Sequence, residues 1–152
     1  MDLGLVGEIT GVNTVYLNLL LNNGIMPVIA PIGVNDACEP HNINADVAAS
    51  AIAAELRAEK LVFLSDVEGV MAADLLVPSM DRPLAERLMA DGVISNGMIP
   101  KIRSAFTALA AGVNKVHLID GRIKHSILLE IFTDLGIGTE LIHAGNGTAV
   151  TV

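Results

Sequence analysis

Aromatic residues are scarce: three Phe, one Tyr and no Trp among 152 residues. The interior must therefore be assembled from Ala, Val, Ile, Leu and Met, and the abundance of Ala favours close helix packing of the kind layered α/β folds use. Charge is also sparse. Hydrophobic residues reach 52% against 17% charged, so burial can offset ordering entropy and a disordered chain is excluded. Basic residues are outnumbered, giving a formal net charge of -8. That average field repels a polyanion and argues against nucleic acid as the main partner. A single cysteine, Cys38, excludes an internal disulfide framework and reads as a small apolar filler. The opening Met1-Asp2-Leu3-Gly4-Leu5 has no charged n-region or long apolar stretch, so it does not read as a signal peptide. No apolar run reaches the roughly 20 residues of a membrane helix. A cytoplasmic protein without membrane segments is the expectation.

The nucleotide-binding patterns GxxxxGK[ST] and GxGxxG are missing as well. His41, His117, His125 and His143 lack metal-ligand spacing and read as surface or satisfied histidines, so no metal site is expected. Nor is there a Ser-His-Asp arrangement that the sequence supports.

What is present is an alternation of helical and extended segments. Leu5–Thr10 reads as a short strand or hairpin arm, Val12–Asn22 as a helix stopped by Asn23-Gly24, and Pro27–Ile32 as a buried strand. The polar stretch Gly33–His41 reads as a loop and Ala45–Arg57 as an Ala-rich, well-buried helix. Lys60–Leu64 reads as a strand, followed by irregular chain to Pro78 in which Gly69–Leu75 could extend locally. Pro83–Asp91 and a segment opening at Pro100 and ending at Gly112 read as helices. Lys115–Ile119 predicts a strand, His125–Phe132 a helix and Thr139–Ile142 a last strand, with residues 143–152 as a frayed tail. The pattern predicts one α/β domain over residues 1–152, with a mainly parallel sheet sandwiched between helices.

In such a sheet, ligands collect where strands end and helices begin. Three segments qualify. Asn42-Ile43-Asn44-Ala45-Asp46 directly precedes a helix; a plain N-cap accounts for it, while the functional reading gives Asp46 charge work and Asn42 a ligand hydrogen bond. It is no calcium loop, because Val47 and Ala53 stand where Gly and a bidentate Glu are needed. Ser65–Val70 leaves a strand and could carry a nucleotide's base and ribose, or be only a strand-ending turn. In Val93–Lys101, Gly97 permits close backbone approach and Lys101 falls in a first helical turn, the wrong end of the dipole for a cation. A phosphate bound between the helix start and Lys101 would reconcile the two; a solvated surface lysine is the plainer alternative.

In this order and spacing, these segments resemble the amino acid kinase superfamily, and within it N-acetylglutamate kinase. Leu5–Thr10, Pro27–Pro31, Asn42–Asp46, Leu64–Val70, Gly97–Lys101, Ile119–Arg122 and Gly136–Thr139 carry the resemblance, over nearly the whole chain. It implies transfer of the ATP γ-phosphoryl group to the carboxylate of N-acetyl-L-glutamate, with Mg²⁺ on the phosphates. By position, it implies that Lys101 stabilises the transferring group, Asp46 orients catalytic lysines and Asn42 binds acetylglutamate. Asp66, Val67, Glu68, Gly69, Val70 and Met71, with Val93, Ile94 and Ser95, are implied to hold the nucleotide.

The resemblance is to the C-terminal half of such enzymes. The glycine-rich phosphate loop and second lysine of the N-terminal half have no counterpart here, so the resemblance implies a fragment that is inactive alone and a homo-oligomer at full length. Asn96 replaces a common Gly or Asp, a tolerable change in a turn. His125 and the segment Phe132–Thr139 are compatible with arginine as a feedback effector, although Leu135 replaces an expected Glu. Kinases of acetylaminoadipate, aspartate, carbamate or UMP, and a non-catalytic nucleotide sensor, are the competing readings.

Overall fold

The structure, a computed structural model, describes residues 5–95, 97–133 and 136–143. Its centre is a four-stranded sheet of order β3-β7-β8-β6, formed by β3 (Lys60–Ser65), β6 (Ser79–Met80), β7 (Lys115–Asp120) and β8 (Thr139–Leu141). The β3–β7 and β6–β8 pairings are parallel and β7–β8 is antiparallel. The expected α/β architecture with a mainly parallel sheet and flanking helices is what forms.

Strand alternation decides where the core sits. Leu61 and Phe63 of β3 register with Val116 and Leu118 of β7, and Val116 in turn with Leu141 of β8. These side chains form one buried face. Two helices cover it: α2 (Ala45–Glu55) and α4 (Ile99–Ala110). The α4 stripe of Ile102, Ala105, Phe106 and Leu109 follows helical spacing and is buried throughout. The buried face of α2 is Ala48, Ser50 and Ala53. Such small residues let the helices approach closely enough for Ser50 Oγ to donate to the Ser104 carbonyl at 3.1 Å. Two further helices, α3 (Arg82–Ala90) and α5 (Ser126–Phe132), flank α4 and β7 respectively. Central β7 is buried on both faces, from Val116 to Asp120.

The amino-terminal third departs from expectation. Helix α1 is shorter at its start (Thr14–Asn22), with the Asn13 side chain accepting from the Tyr16 N–H. Pro27–Ile32 is not a buried strand. Only its last residue enters β1 (Ile32–Val34), and Val28 is 97% exposed. Apolar composition predicts burial, but among the described residues only the end of the run meets a strand, through the Ile32–Asn42 pair and the bond from the Ile43 N–H to the Pro31 carbonyl. Gly33–His41 is likewise not simply a loop, because β1 pairs antiparallel with β2 (Pro40–Asn42). Asn35 closes the hairpin turn by accepting from the Ala37 and Glu39 N–H groups. Cys38 sits in that turn, exposed and at φ 61°, so it fills no apolar space. Leu5–Thr10 contributes one parallel bridge, Val6 to Asn42, instead of an arm.

Between β3 and β6, the locally extended stretch is a two-strand ribbon of β4 (Met71–Ala72) and β5 (Leu75–Leu76). β6, which pairs with the expected last strand β8, lies just past the stretch expected to be irregular and carries no expectation of its own; two residues are too few for a periodic signal. Among the described residues no helix is long and apolar enough to cross a membrane. The expected tail from Ala144 onward, Asn96 and Leu135 lie outside the described residues.

Candidate active site

Parallel β3 and β7 end together: Ser65 registers with Asp120, and the Gly121 N–H donates to the Ser65 carbonyl at 2.8 Å. Helices α2 and α4 start near the same end, as ligand sites in open α/β sheets require. The Asn44 side chain accepts from the Asp46 and Val47 N–H groups at 2.9 and 3.2 Å and so fixes the α2 start. Asp46, in the first turn of α2, then meets Lys101 in the first turn of α4, with Nζ donating to Oδ1 at 2.7 Å. Both side chains are mostly shielded from solvent. The Lys101 ammonium also lies 5.1 Å from the centroid of the Phe63 ring on β3.

One cation is thus held between a carboxylate and an aromatic face at the positive end of a helix dipole. That position disfavours a cation unless an anion joins it. The α4 start offers more. It has no side-chain cap; Met98 and Ile99 N–H groups turn back to the Ser95 carbonyl, and Pro100 has no donor. Among the described residues, the Lys101 backbone N–H makes no such bond and remains available to an anion.

Asn42 ends β2. Its backbone is committed, donating to the Leu5 carbonyl and accepting from the Gly7 N–H, while the residue is exposed. Four residues separate it from Asp46, so one strand-to-helix connection carries both. Asp66, Val67 and Glu68 form a bend leaving β3, with Asp66 and Glu68 exposed. Gly69 has φ 149°, and a Cβ there would come within 2.7 Å of Thr139 Oγ1. Val70 is an anchor: its side chain is buried, its N–H donates to Thr139 Oγ1 at 2.8 Å and its carbonyl accepts from the Val77 N–H. Met71 follows, exposed, in β4. Of the other expected nucleotide segment, Val93 and Ser95 are exposed and Ile94 is buried in the core.

Thr139 therefore pins the bend to the sheet from the far side of β7. Thr139→Val keeps the shape but strands a buried N–H at Val70. It should lower stability by about 1–3 kcal/mol, read as an earlier urea midpoint, and speed exchange of the Val70 amide; unchanged exchange would show that the hydroxyl does not hold the bend.

Phe63 under Lys101 and the Thr139 anchor were not anticipated from sequence. Neither was a polar cluster on the opposite sheet face, beneath α5. There His117 Nδ1 lies 2.5 Å from Glu130 Oε1, both residues being buried. Lys60 Nζ is 3.9 Å from the same oxygen, and Lys115 Nζ is 2.8 Å from Glu140 Oε1, an ion pair by distance without the alignment of a hydrogen bond. His117 Nε2, 3.8 Å from Glu140, is buried and makes no hydrogen bond. A cavity of about 220 Å³ opens here, lined by Lys60, His117, Glu130, Thr133, Gly136 and Glu140 among others. The available signal was one Glu within the otherwise apolar stretch Ile127–Phe132, opposite a His on a buried strand.

Burial pushes the His117 imidazole below its ordinary 6.5, against the pull of Glu130. Unfolding restores the ordinary value, so on acidification below 6.5 the unfolded chain takes up the extra proton first and folding stability falls; above 6.5 this contribution is fully present. Urea midpoints should drop between roughly pH 7 and pH 5, and His117→Gln should flatten that slope. An undiminished slope in the variant would place its origin elsewhere.

At the β7 end, Asp120 accepts from the Arg122 backbone N–H at 2.8 Å and from its guanidinium at 2.7–3.2 Å. These bonds hold the Asp120 carboxyl below the usual carboxylate range. They fix the turn beside the Asp66–Glu68 bend.

Comparison with known proteins identifies the family. Residues 1–120 match the model of the amino acid kinase family. The chain is 54% identical to the acetylglutamate kinase of Aquifex aeolicus over 141 residues, covering 92% of this chain and 47% of that enzyme. It is 52% identical to that of Pelodictyon phaeoclathratiforme over 140 residues, 92% of this chain and 46% of the relative. The chain thus spans about half the length of these relatives. Among solved structures, N-acetylglutamate synthase from Neisseria gonorrhoeae, complexed with coenzyme A and L-arginine, aligns with TM-score 0.85 at 30% identity, over 93% of this chain and 33% of that one. The isopentenyl phosphate kinase of T. acidophilum shares the fold, with TM-score 0.62 at 22% identity over 90% of this chain and 56% of that one. With a lysine–aspartate pair at two helix starts on the carboxyl end of a parallel strand pair, and a family model matching most of its length, this chain belongs to the amino acid kinase family.

Proposed function

We propose that the chain is the nucleotide-binding domain of an N-acetyl-L-glutamate kinase of arginine biosynthesis, working in the cytoplasm. The observation that carries this reading is the Lys101–Asp46 pair at the uncapped start of α4; the identity to acetylglutamate kinases supports the choice of acceptor. The acetylglutamate side-chain carboxylate attacks the γ-phosphorus of ATP. Its new O–P bond forms as the bond to the bridging oxygen of ADP breaks. Such a transfer needs positioning and cancellation of charge on the equatorial oxygens, with no protein nucleophile. Lys101, reinforced by its own backbone N–H and the helix dipole, supplies cancellation. Asp46 keeps the ammonium aimed, and Phe63 supports it from the side away from solvent. Asn42 offers its amide to acetylglutamate, and the bend Asp66–Met71 with Val93–Ser95 receives base and ribose. Among the described residues no three His, Cys, Asp or Glu gather into a metal site. Mg²⁺ bound with ATP would supply further neutralisation of the phosphate charge.

The chain alone should bind ATP-Mg²⁺ weakly and turn over negligibly, because the acceptor side of the site lies largely in the part of the relatives it does not span. Thermal shift with ATP-Mg²⁺, with and without acetylglutamate, checks the first statement; acetylglutamate-dependent ADP release at a full-length enzyme's rate would contradict the second.

The polar cavity beneath α5 favours a regulatory reading beside the catalytic one. Thr133 and Gly136 line it together with Lys60, His117, Glu130 and Glu140. Carboxylates and ammonium groups in one enclosure suit a zwitterion with a cationic side chain, and arginine has that chemistry. His125 directly precedes α5, at φ 63° and without a side-chain capping bond, and is not among the residues that line the cavity. In the homo-oligomeric full-length enzyme, calorimetry should register arginine binding that Glu130→Gln weakens; no heat of binding would end this reading.

A further inference from the structure

Two buried side-chain atoms face each other without a hydrogen bond: His117 Nε2 on β7 and Glu140 Oε1 on β8, 3.8 Å apart. The residues are an antiparallel register pair, so their side chains leave the sheet together on the face beneath α5. His117 is only 8% exposed, and both residues line the cavity of about 220 Å³. The other ring nitrogen decides what Nε2 is. Nδ1 lies 2.5 Å from Glu130 Oε1, a separation at which two bare lone pairs would repel, so the proton of the neutral ring sits on Nδ1. Nε2 is then an acceptor, as is Glu140 Oε1, and buried acceptors call for a donor.

The charged groups around the ring are Lys60 of β3, Lys115 of β7, Glu130 of α5 and Glu140 of β8. Two ammoniums and two carboxylates cancel, so with neutral His117 the cluster has room for one further positive donor. A proton on Nε2 is one candidate, and a cationic N–H donor entering the cavity is the other. Protonation turns Nε2 into a donor, and an approach of about 1 Å brings it within hydrogen-bond reach of Glu140. Rotation of the Glu140 side chain supplies that approach without moving β8. His117 then bridges Glu130 of α5 to Glu140 of β8, and the cavity loses both free acceptors.

We infer that His117 is a proton switch in this cavity: neutral, it and Glu140 take an ammonium or guanidinium donor; protonated, it bonds Glu140 itself and shuts that donor out. Burial pushes the imidazole below its ordinary 6.5, so the cavity is open at neutral pH and closes on acidification. The switch rests on the reading of this cavity as a ligand site, not on arginine as the ligand.

NMR of the 152-residue chain with labelled histidine and glutamate tests it, with methylguanidinium as the probe. At pH 7.5 the His117 ring should be the Nδ1-protonated tautomer, and acidification to pH 5 should move the Glu140 carboxyl resonance together with the ring. The probe should shift both resonances at pH 7.5 and bind roughly threefold or more weakly at pH 5. Glu140→Gln sets an amide donor opposite Nε2 and should abolish probe binding at both pH values while the tautomer is retained. An Nε2-protonated tautomer at pH 7.5, a probe affinity indifferent to pH, or no probe binding at all, as when a buried water satisfies both acceptors, would each overturn the inference. Arginine failing to bind the full-length enzyme while the probe binds here would end the arginine reading and leave the switch standing.

Discussion

Lys101→Ala, made in an enzyme completed with the second half of the fold, should lower kcat about a hundred- to a thousandfold while KM for ATP moves by only a few-fold. The asymmetry follows from where the ammonium sits. It is held 2.7 Å from Asp46 at the α4 start and above Phe63, so it is placed before substrate arrives. A pre-placed charge costs little reorganisation when the equatorial oxygens gain charge, and its stabilisation is greatest in the transition state. Lys101→Arg should not restore the rate, because a planar guanidinium cannot occupy the same point between carboxylate and ring. Asp46→Asn should be milder, loosening the ammonium without removing it. A kcat unchanged in Lys101→Ala would remove this residue from the mechanism.

Gly138→Ala should be the most damaging single methyl addition, with an expected loss of about 3 kcal/mol or more. Gly138 precedes β8, where a Cβ would collide with the Leu118 carbonyl oxygen and approach Ile119 Cγ2 to 2.9 Å. Backbone is in the way here, so no rotamer change relieves it. The β7–β8 pairing would have to open, and with it the Thr139 bond that pins the bend after β3. Urea denaturation of the free chain measures the loss; a midpoint within experimental scatter of the parent would show that β8 can shift without cost.

Much of the sheet region was legible because its signals are periodic or punctuated. Lys60–Leu64 and Lys115–Ile119 are apolar runs of strand length, the helix opening at Pro100 carries its own start signal, and Gly92 and Gly112 mark helix ends. The site was legible at Lys101 because a lysine in a first helical turn is electrostatically out of place, and at Asp46 because it follows a capping Asn. Distance was not legible. Nothing local says that Asp46 and Lys101, 55 positions apart, touch, or that Phe63 lies beneath the ammonium. Pro27–Ile32 misled for a different reason. Apolar composition alone signals burial, yet among the described residues only Ile32 of this run joins a strand and Val28 is exposed. The cluster under α5 escaped because each member taken singly is an ordinary strand or helix residue; only the pairing of Val62 with His117, and of His117 with Glu140, sets them in one layer.

The proposed role of this chain is to supply the nucleotide side of an acetylglutamate kinase. Its most direct test joins the chain to the unmatched part of the Aquifex aeolicus relative and follows ADP release with ATP-Mg²⁺ and, in turn, acetylglutamate, acetylaminoadipate, aspartate, carbamate and UMP. ADP release that depends on acetylglutamate, exceeds that with each other acceptor, and collapses in Lys101→Ala is the predicted result. Turnover favouring another acceptor, or a folded joined protein that binds ATP yet releases no ADP with any of the five, would contradict it.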